Sequence, residues 1–308
     1  MRNDSAISAE PAATLPPDSR RQNSDRDHRH YNRPLKIRRV PMRHGWYWLI
    51  EGFMLWARSP AFLSFLAFSC IIAIILAAIP PYVGDLLGLI LYPGLMLGVF
   101  NGCRAIDRKR NLSPGLLISG FRRHAFDLLL AGFCHFVVMT AMLLSTWPID
   151  GGMMWRVVTH AEIPGPAVFA SPPLLYSSIF IGIFSALWTA VYLFVPQLIG
   201  WWRLSVPKAL ISSLKGCLFN WLPFLVYIFC FSFFIIILSA LVINFFELVA
   251  EGLGVVICAL FLLISIPALI ASFYVAARDI FGLPRRRKHK QRQPDATQDG
   301  RENRKIQA

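Results

Sequence analysis

Six runs of apolar residues, each long enough to reach across the oily core of a bilayer, decide what this chain can fold into. Crossing ~30 Å of hydrocarbon as a helix takes about 20 residues, none of them charged without cost. The runs extend approximately from Pro60 to Ile79, Leu86 to Cys103, Phe126 to Trp147, Leu174 to Leu198, Trp221 to Phe245 and Leu253 to Ala276. At 56% apolar over 308 residues, the chain has no way to hide these runs in a soluble core, whose helices keep a polar face. The expected fold is all-α, an integral membrane protein with six transmembrane helices. The second run is the shortest and contains Pro93. Dropping it would put the basic run Arg104 to Arg110 on the wrong side, which argues that it crosses.

Charge sets the orientation. Of the 31 lysines and arginines, all but Arg156 lie in segments that six spans place on one side. Those segments are the tail before Gly45 with Arg58, the stretch from Gly102 to Ala125, the stretch from Gly200 to Phe219, and everything from Arg278 onward. Cytoplasmic segments carry the excess of Lys and Arg, so both ends are expected inside the cell. A net charge of +14 would suggest nucleic acid in a soluble protein. Here the charges flank spans and lack interleaved aromatics, so no nucleic-acid partner is expected.

Residues 1–44 and 283–308 are polar and basic and read as disordered cytoplasmic tails around a membrane domain of residues 45–282. The first 44 residues have no apolar core of the kind a cleaved leader needs, so the first span is expected to act as the insertion signal. Connections on the outer side, Pro80 to Asp85, Pro148 to Pro173 and Phe246 to Gly252, arrange the spans as three hairpins. Each hairpin is preceded by a segment with helical spacing of apolar residues: Gly45 to Arg58, Ser113 to Arg123, and a stretch starting near Ser205. These predict three interfacial amphipathic helices in the headgroup plane of the cytoplasmic face. The unit repeats in parallel, and Pro93, Pro196 and Pro267 on the return spans suggest a shared kink.

Several short pieces, weak singly, form a specific ordered set: Val40-Pro41, Gly45-Trp46-Tyr47-Trp48, Gly52-Phe53, Gly94 to Gly98 with Arg104 and Asp107, Ser119-Gly120-Phe121, Asn220-Trp221-Leu222-Pro223-Phe224, and Ala277-Arg278-Asp279-Ile280-Phe281. On these, from roughly Arg39 to Gly282, the chain resembles a family of bacterial multi-pass inner-membrane proteins of unknown function. A looser similarity is to the membrane domains of some glycerophosphodiester phosphodiesterases, without their catalytic half. The resemblance implies an architecture and no activity.

Polar groups in hydrocarbon are expensive, so His135 near the middle of the third span is the most suspicious residue, with Trp188 at similar depth on the returning span. Gln197 joins them, because Pro196 frees a backbone carbonyl that a polar neighbour can use. Packing explains all three without function: no Asp, Glu, Lys or Arg within a span completes a relay. A second candidate site lies at the inner ends, where Arg104 with Asp107 and Arg278 with Asp279 can pair with each other or bind a headgroup. The six cysteines lack ligand spacing and read as small buried groups, and no catalytic motif, metal or cofactor is expected. The expected role is a non-enzymatic scaffold, or a binder of anionic lipid headgroups at the cytoplasmic face, with a second copy or another membrane protein as a further partner. The alternative is a small-solute or ion transporter.

Overall fold

A computed structural model describes residues 35–80, 83–159, 165, 171–247 and 252–282, and all regular structure in them is helical. The two tails lie outside the described residues over 1–34 and 283–308. Six helical segments are long and apolar enough to cross a membrane: Pro60–Ala78, Gly84–Asp107, His124–Asp150, Pro172–Trp202, Trp221–Phe246 and Leu253–Phe281. Each runs over one of the expected apolar stretches.

In chain order, α1 (His44–Ala57) leads into the spans α2 (Pro60–Ala78) and α3 (Gly84–Asp107). A 3-10 helix (Pro114–Gly120) follows, then the third span α4 (Phe121–Leu144) and two short helices, α5 (Trp147–Asp150) and α6 (Met153–Val158). The fourth span is made of α7 (Pro172–Tyr192) and α8 (Val195–Trp202). Helix α9 (Val206–Phe219) precedes the last two spans, α10 (Trp221–Glu247) and α11 (Leu253–Phe281).

The three prolines do not act alike. Helices α3 and α11 run unbroken through Pro93 and Pro267, whereas the fourth span is cut at Leu193-Phe194, two residues before Pro196. The cut is satisfied from outside: the Ser213 hydroxyl on α9 accepts the Phe194 N–H at 3.2 Å and donates to the Ala190 carbonyl at 3.1 Å. A side chain thus replaces the hydrogen bonds that the interruption removes.

The segment after Ser113 differs from its expectation in kind. Ser113 does cap it, its hydroxyl accepting the Gly115 N–H at 3.3 Å, but the turns are 3-10 and end at Gly120. Contact with α3 explains this. A Cβ on Gly98 would stand 2.0 Å from the Leu117 carbonyl oxygen, and one on Gly120 2.3 Å from that of Gly94, so the two backbones meet with no room for side chains. The small residues of α3 serve this contact.

Helix α1 packs along the last part of α11 and the start of α10. Gly45 lies against the Pro223 carbonyl and Gly52 against the Ser272 backbone, which lets Trp48 sink between the spans until it is fully buried. On α9, Cys217 is buried, and its surroundings push the thiol up to about 12, so it stays neutral and acts as packing.

Candidate functional site

Charged and aromatic side chains from three helices converge where α1, α3 and α11 meet. Asp279 accepts hydrogen bonds from the Trp48 indole at 3.1 Å and stands 3.3 Å from the His44 Nδ1. Arg278 pairs with Glu51 of α1, reaches Asp279 at 3.3 Å and lies 3.7 Å from Asp107. Asp107 also accepts the Tyr274 hydroxyl at 2.8 Å. Of the four residues expected together at these span ends, Asp107, Arg278 and Asp279 come into one cluster, and Glu51, His44, Trp48 and Tyr274, which join them, were not foreseen. Arg278 ties three carboxylates together, and Arg58 at the end of α1 stands 3.9 Å from Asp107, which suits a clamp that fixes α1 to the spans.

Arg104 does not join this cluster. Asp107 lies one turn further along the same helix, but the Arg104 guanidinium lies over the Trp201 ring of α8, 5.2 Å from the centroid. The wall beneath is cross-linked: Trp201 donates to Asn101 at 2.9 Å, and Asn101 donates to Ser119 at 2.9 Å. Here α3, α8 and the 3-10 helix enclose a pocket of about 590 Å³ whose lining includes Arg104, Arg108, Arg110, Arg203 and His124. Among the described residues no Asp or Glu lines it. Arg104 alone was flagged by sequence; Arg203 lies a hundred residues along the chain and nothing in its surroundings joins the two.

The mid-span residues are brought together in part. The Trp188 N–H donates to the His135 Nδ1 at 2.7 Å, joining the third and fourth spans, and Tyr192 stacks against the same imidazole with centroids 4.4 Å apart. With the Trp188 proton on Nδ1, a neutral imidazole carries its own proton on Nε2. These residues, with Tyr92, Phe100 and Pro196, line a cavity of about 330 Å³. Gln197 is elsewhere: fully buried in α8, it does not line that cavity, and neither atom of its amide has a hydrogen-bond partner among the described residues. A site that unites His135, Trp188 and Gln197 does not form.

Sequence reading also missed two structural polar groups. Asp150, which solvation in a loop would explain, is buried and accepts the backbone N–H groups of Gly152 at 2.9 Å and Met154 at 3.1 Å. Asn220 is buried between α9 and α10, where it accepts the Val40 N–H at 2.8 Å and donates to the Arg38 and Gly216 carbonyls. It pins the extended segment leading into α1.

No family model matches this chain, and no solved structure matches it. Among curated proteins, a probable inner membrane protein of Burkholderia thailandensis is 28% identical over 199 residues, which cover 63% of this chain and 74% of the relative. That similarity carries nothing of the looser one to phosphodiesterase membrane domains. With six membrane-crossing helices and a distant homologue of this kind, the chain is a multi-pass inner-membrane protein.

Proposed function

We propose that this is a non-enzymatic protein that binds anionic lipid headgroups at the cytoplasmic face of the inner membrane, with both termini inside the cell and its spans arranged as three hairpins. The observation that carries the reading is the convergence of Arg104, Arg108, Arg110 and Arg203 on one pocket at the basic ends of the spans. Guanidinium groups are planar forks that match phosphate oxygens two at a time. Basic tails flanking the spans add attraction for the same lipids, about 1 kcal/mol per charge near the surface. Protein in nanodiscs is expected to retain anionic over zwitterionic lipid at physiological salt; equal retention of both overturns the reading. Reporter fusions give the orientation independently: those after Gly165 should report the outside and those after Lys109 and Lys208 the inside.

One observation favours the transporter as a second reading. The cavity beside His135 lies next to the cut in the fourth span, where interrupted backbone and a polar side chain meet at membrane depth. Flux through reconstituted vesicles that His135→Ala alters would establish it, and solute-independent leak identical in both proteins would remove it.

A further inference from the structure

The cavity beside His135 has a chemistry of its own. Its walls hold four rings: Tyr92 from α3, His135 from α4, and Trp188 and Tyr192 from α7. Wherever two of these rings meet, their planes are inclined by only 23° to 31°. Tyr92 and Trp188 stand 6.0 and 6.1 Å from the His135 centroid, and Tyr192 stands 5.8 Å from Trp188. A cage for a quaternary ammonium needs aromatic faces turned toward one point from several directions. Here the faces are near parallel, and among the described residues no Asp, Glu, Lys or Arg is in the lining, so the fit is to a flat, uncharged ring stacked along the same planes.

Two polar groups in the lining decide which ring. The Trp188 N–H occupies the His135 Nδ1, which leaves the Nε2–H as one donor, and the Tyr92 hydroxyl is a second. Neither has a hydrogen-bond partner among the described residues. At mid-span a donor without an acceptor is costly. An acyl chain would fill the space and leave both donors unmet. A ring bearing carbonyl oxygens meets them, because its polar edge only accepts. Carbonyls also withdraw electrons from the ring, and an electron-poor ring stacks favourably on the electron-rich faces of tyrosine and tryptophan.

The route in is through lipid. Thr189 lines the cavity and is exposed; it belongs to the membrane-crossing segment Pro172–Trp202, two residues beyond Leu187, which is 62% exposed. At about 330 Å³ the space lies at the small end of ligand pockets, enough for the head of a lipid-soluble molecule whose tail stays in the bilayer. We propose that this cavity binds the ring of a membrane-soluble quinone, whose carbonyl oxygens accept from the His135 Nε2–H and the Tyr92 hydroxyl. The arginine pocket shares no lining residue with it, so quinone binding and headgroup binding stand or fall separately.

Nanodiscs with and without the protein are equilibrated with decylubiquinone, a benzoquinone with an alkyl tail, and with decylbenzene, which has the tail and a ring but no carbonyl. Quinone retained above the level of empty nanodiscs should saturate, and decylbenzene should show no such excess. Tyr92→Phe keeps the ring and removes one donor, which should weaken quinone binding about fivefold, the size of one neutral hydrogen bond. Thr189→Trp adds bulk from an exposed position in the lining and should abolish saturable binding, with thermal unfolding close to that of the wild type showing that the fold is kept. Absence of a saturable quinone excess in the wild type overturns the assignment. So does equal retention of decylbenzene, which makes the cavity an apolar slot, and so does full-strength binding in both variants, which puts the quinone elsewhere.

Discussion

The second and fifth spans have similar lengths and opposite surroundings. Just over half of the second span's apolar window is buried, 56%, against 6% in the fifth. Their sequences explain it. Helix α3 carries glycines at 84, 88, 94, 98 and 102, four of which face backbone or side chains closer than a methyl group tolerates. Helix α10 has none and presents Phe229, Phe233, Ile236 and Leu241 outward. In hydrocarbon, lipid solvates a leucine as well as a neighbouring helix does, so apolar bulk does not drive association. Close backbone approach does, and the span with small residues becomes the centre of the bundle.

Adding volume to each span is the strongest test of that difference. Gly98→Val should destabilise the protein by more than about 3 kcal/mol, because a backbone carbonyl has to move. Ala240→Val on the exposed face of α10 should stay within about 0.5 kcal/mol. Thermal unfolding in detergent measures both, and similar losses would erase the distinction. Next comes the charged clamp: Asp279→Ala leaves the Trp48 indole buried without its acceptor and should cost about 2 kcal/mol. Protease cleavage in α1 should rise with it; an unchanged digestion pattern would mean that packing alone holds that helix. The smallest effect has the opposite sign. Gln197→Leu replaces a buried, unbonded amide by an apolar group of similar size and should leave stability unchanged or raise it by up to about 1 kcal/mol. A clear loss of stability there would reveal a partner for the amide.

The spans were legible because bilayer thickness imposes a length that no soluble helix needs, and all six apolar runs became helices. The ends of helices were less so. Asp107 closes α3 four residues beyond the expected edge at Cys103, since a polar last turn costs nothing at the interface. Composition gave no means to tell Pro196 from Pro93. What separates them is whether a hydroxyl stands ready on a neighbouring helix, and Ser213 is remote in sequence. Similarly, Arg104 and Asp107 looked like partners because they are three residues apart, yet each is claimed by a different helix, Arg104 by Trp201 and Asp107 by Tyr274. The motif pieces that carried the family resemblance meet one another across two helix contacts: Gly45 against Pro223 and Trp48 against Asp279 where α1 is seated, and Gly94 against Phe121 between α3 and α4. Read along the chain they are scattered, and only folding assembles them.

The bond between Trp48 and Asp279 spans 231 positions of sequence. A ribosome feeding this chain into the bilayer finishes α1 before any span exists, yet the groove that receives it is completed only by the final turn of α11. The earliest helix is therefore the last to be seated. Until then the Trp48 indole faces lipid or water, and an interrupted chain lacking the sixth span leaves it there, an exposed aromatic group open to quality-control proteases.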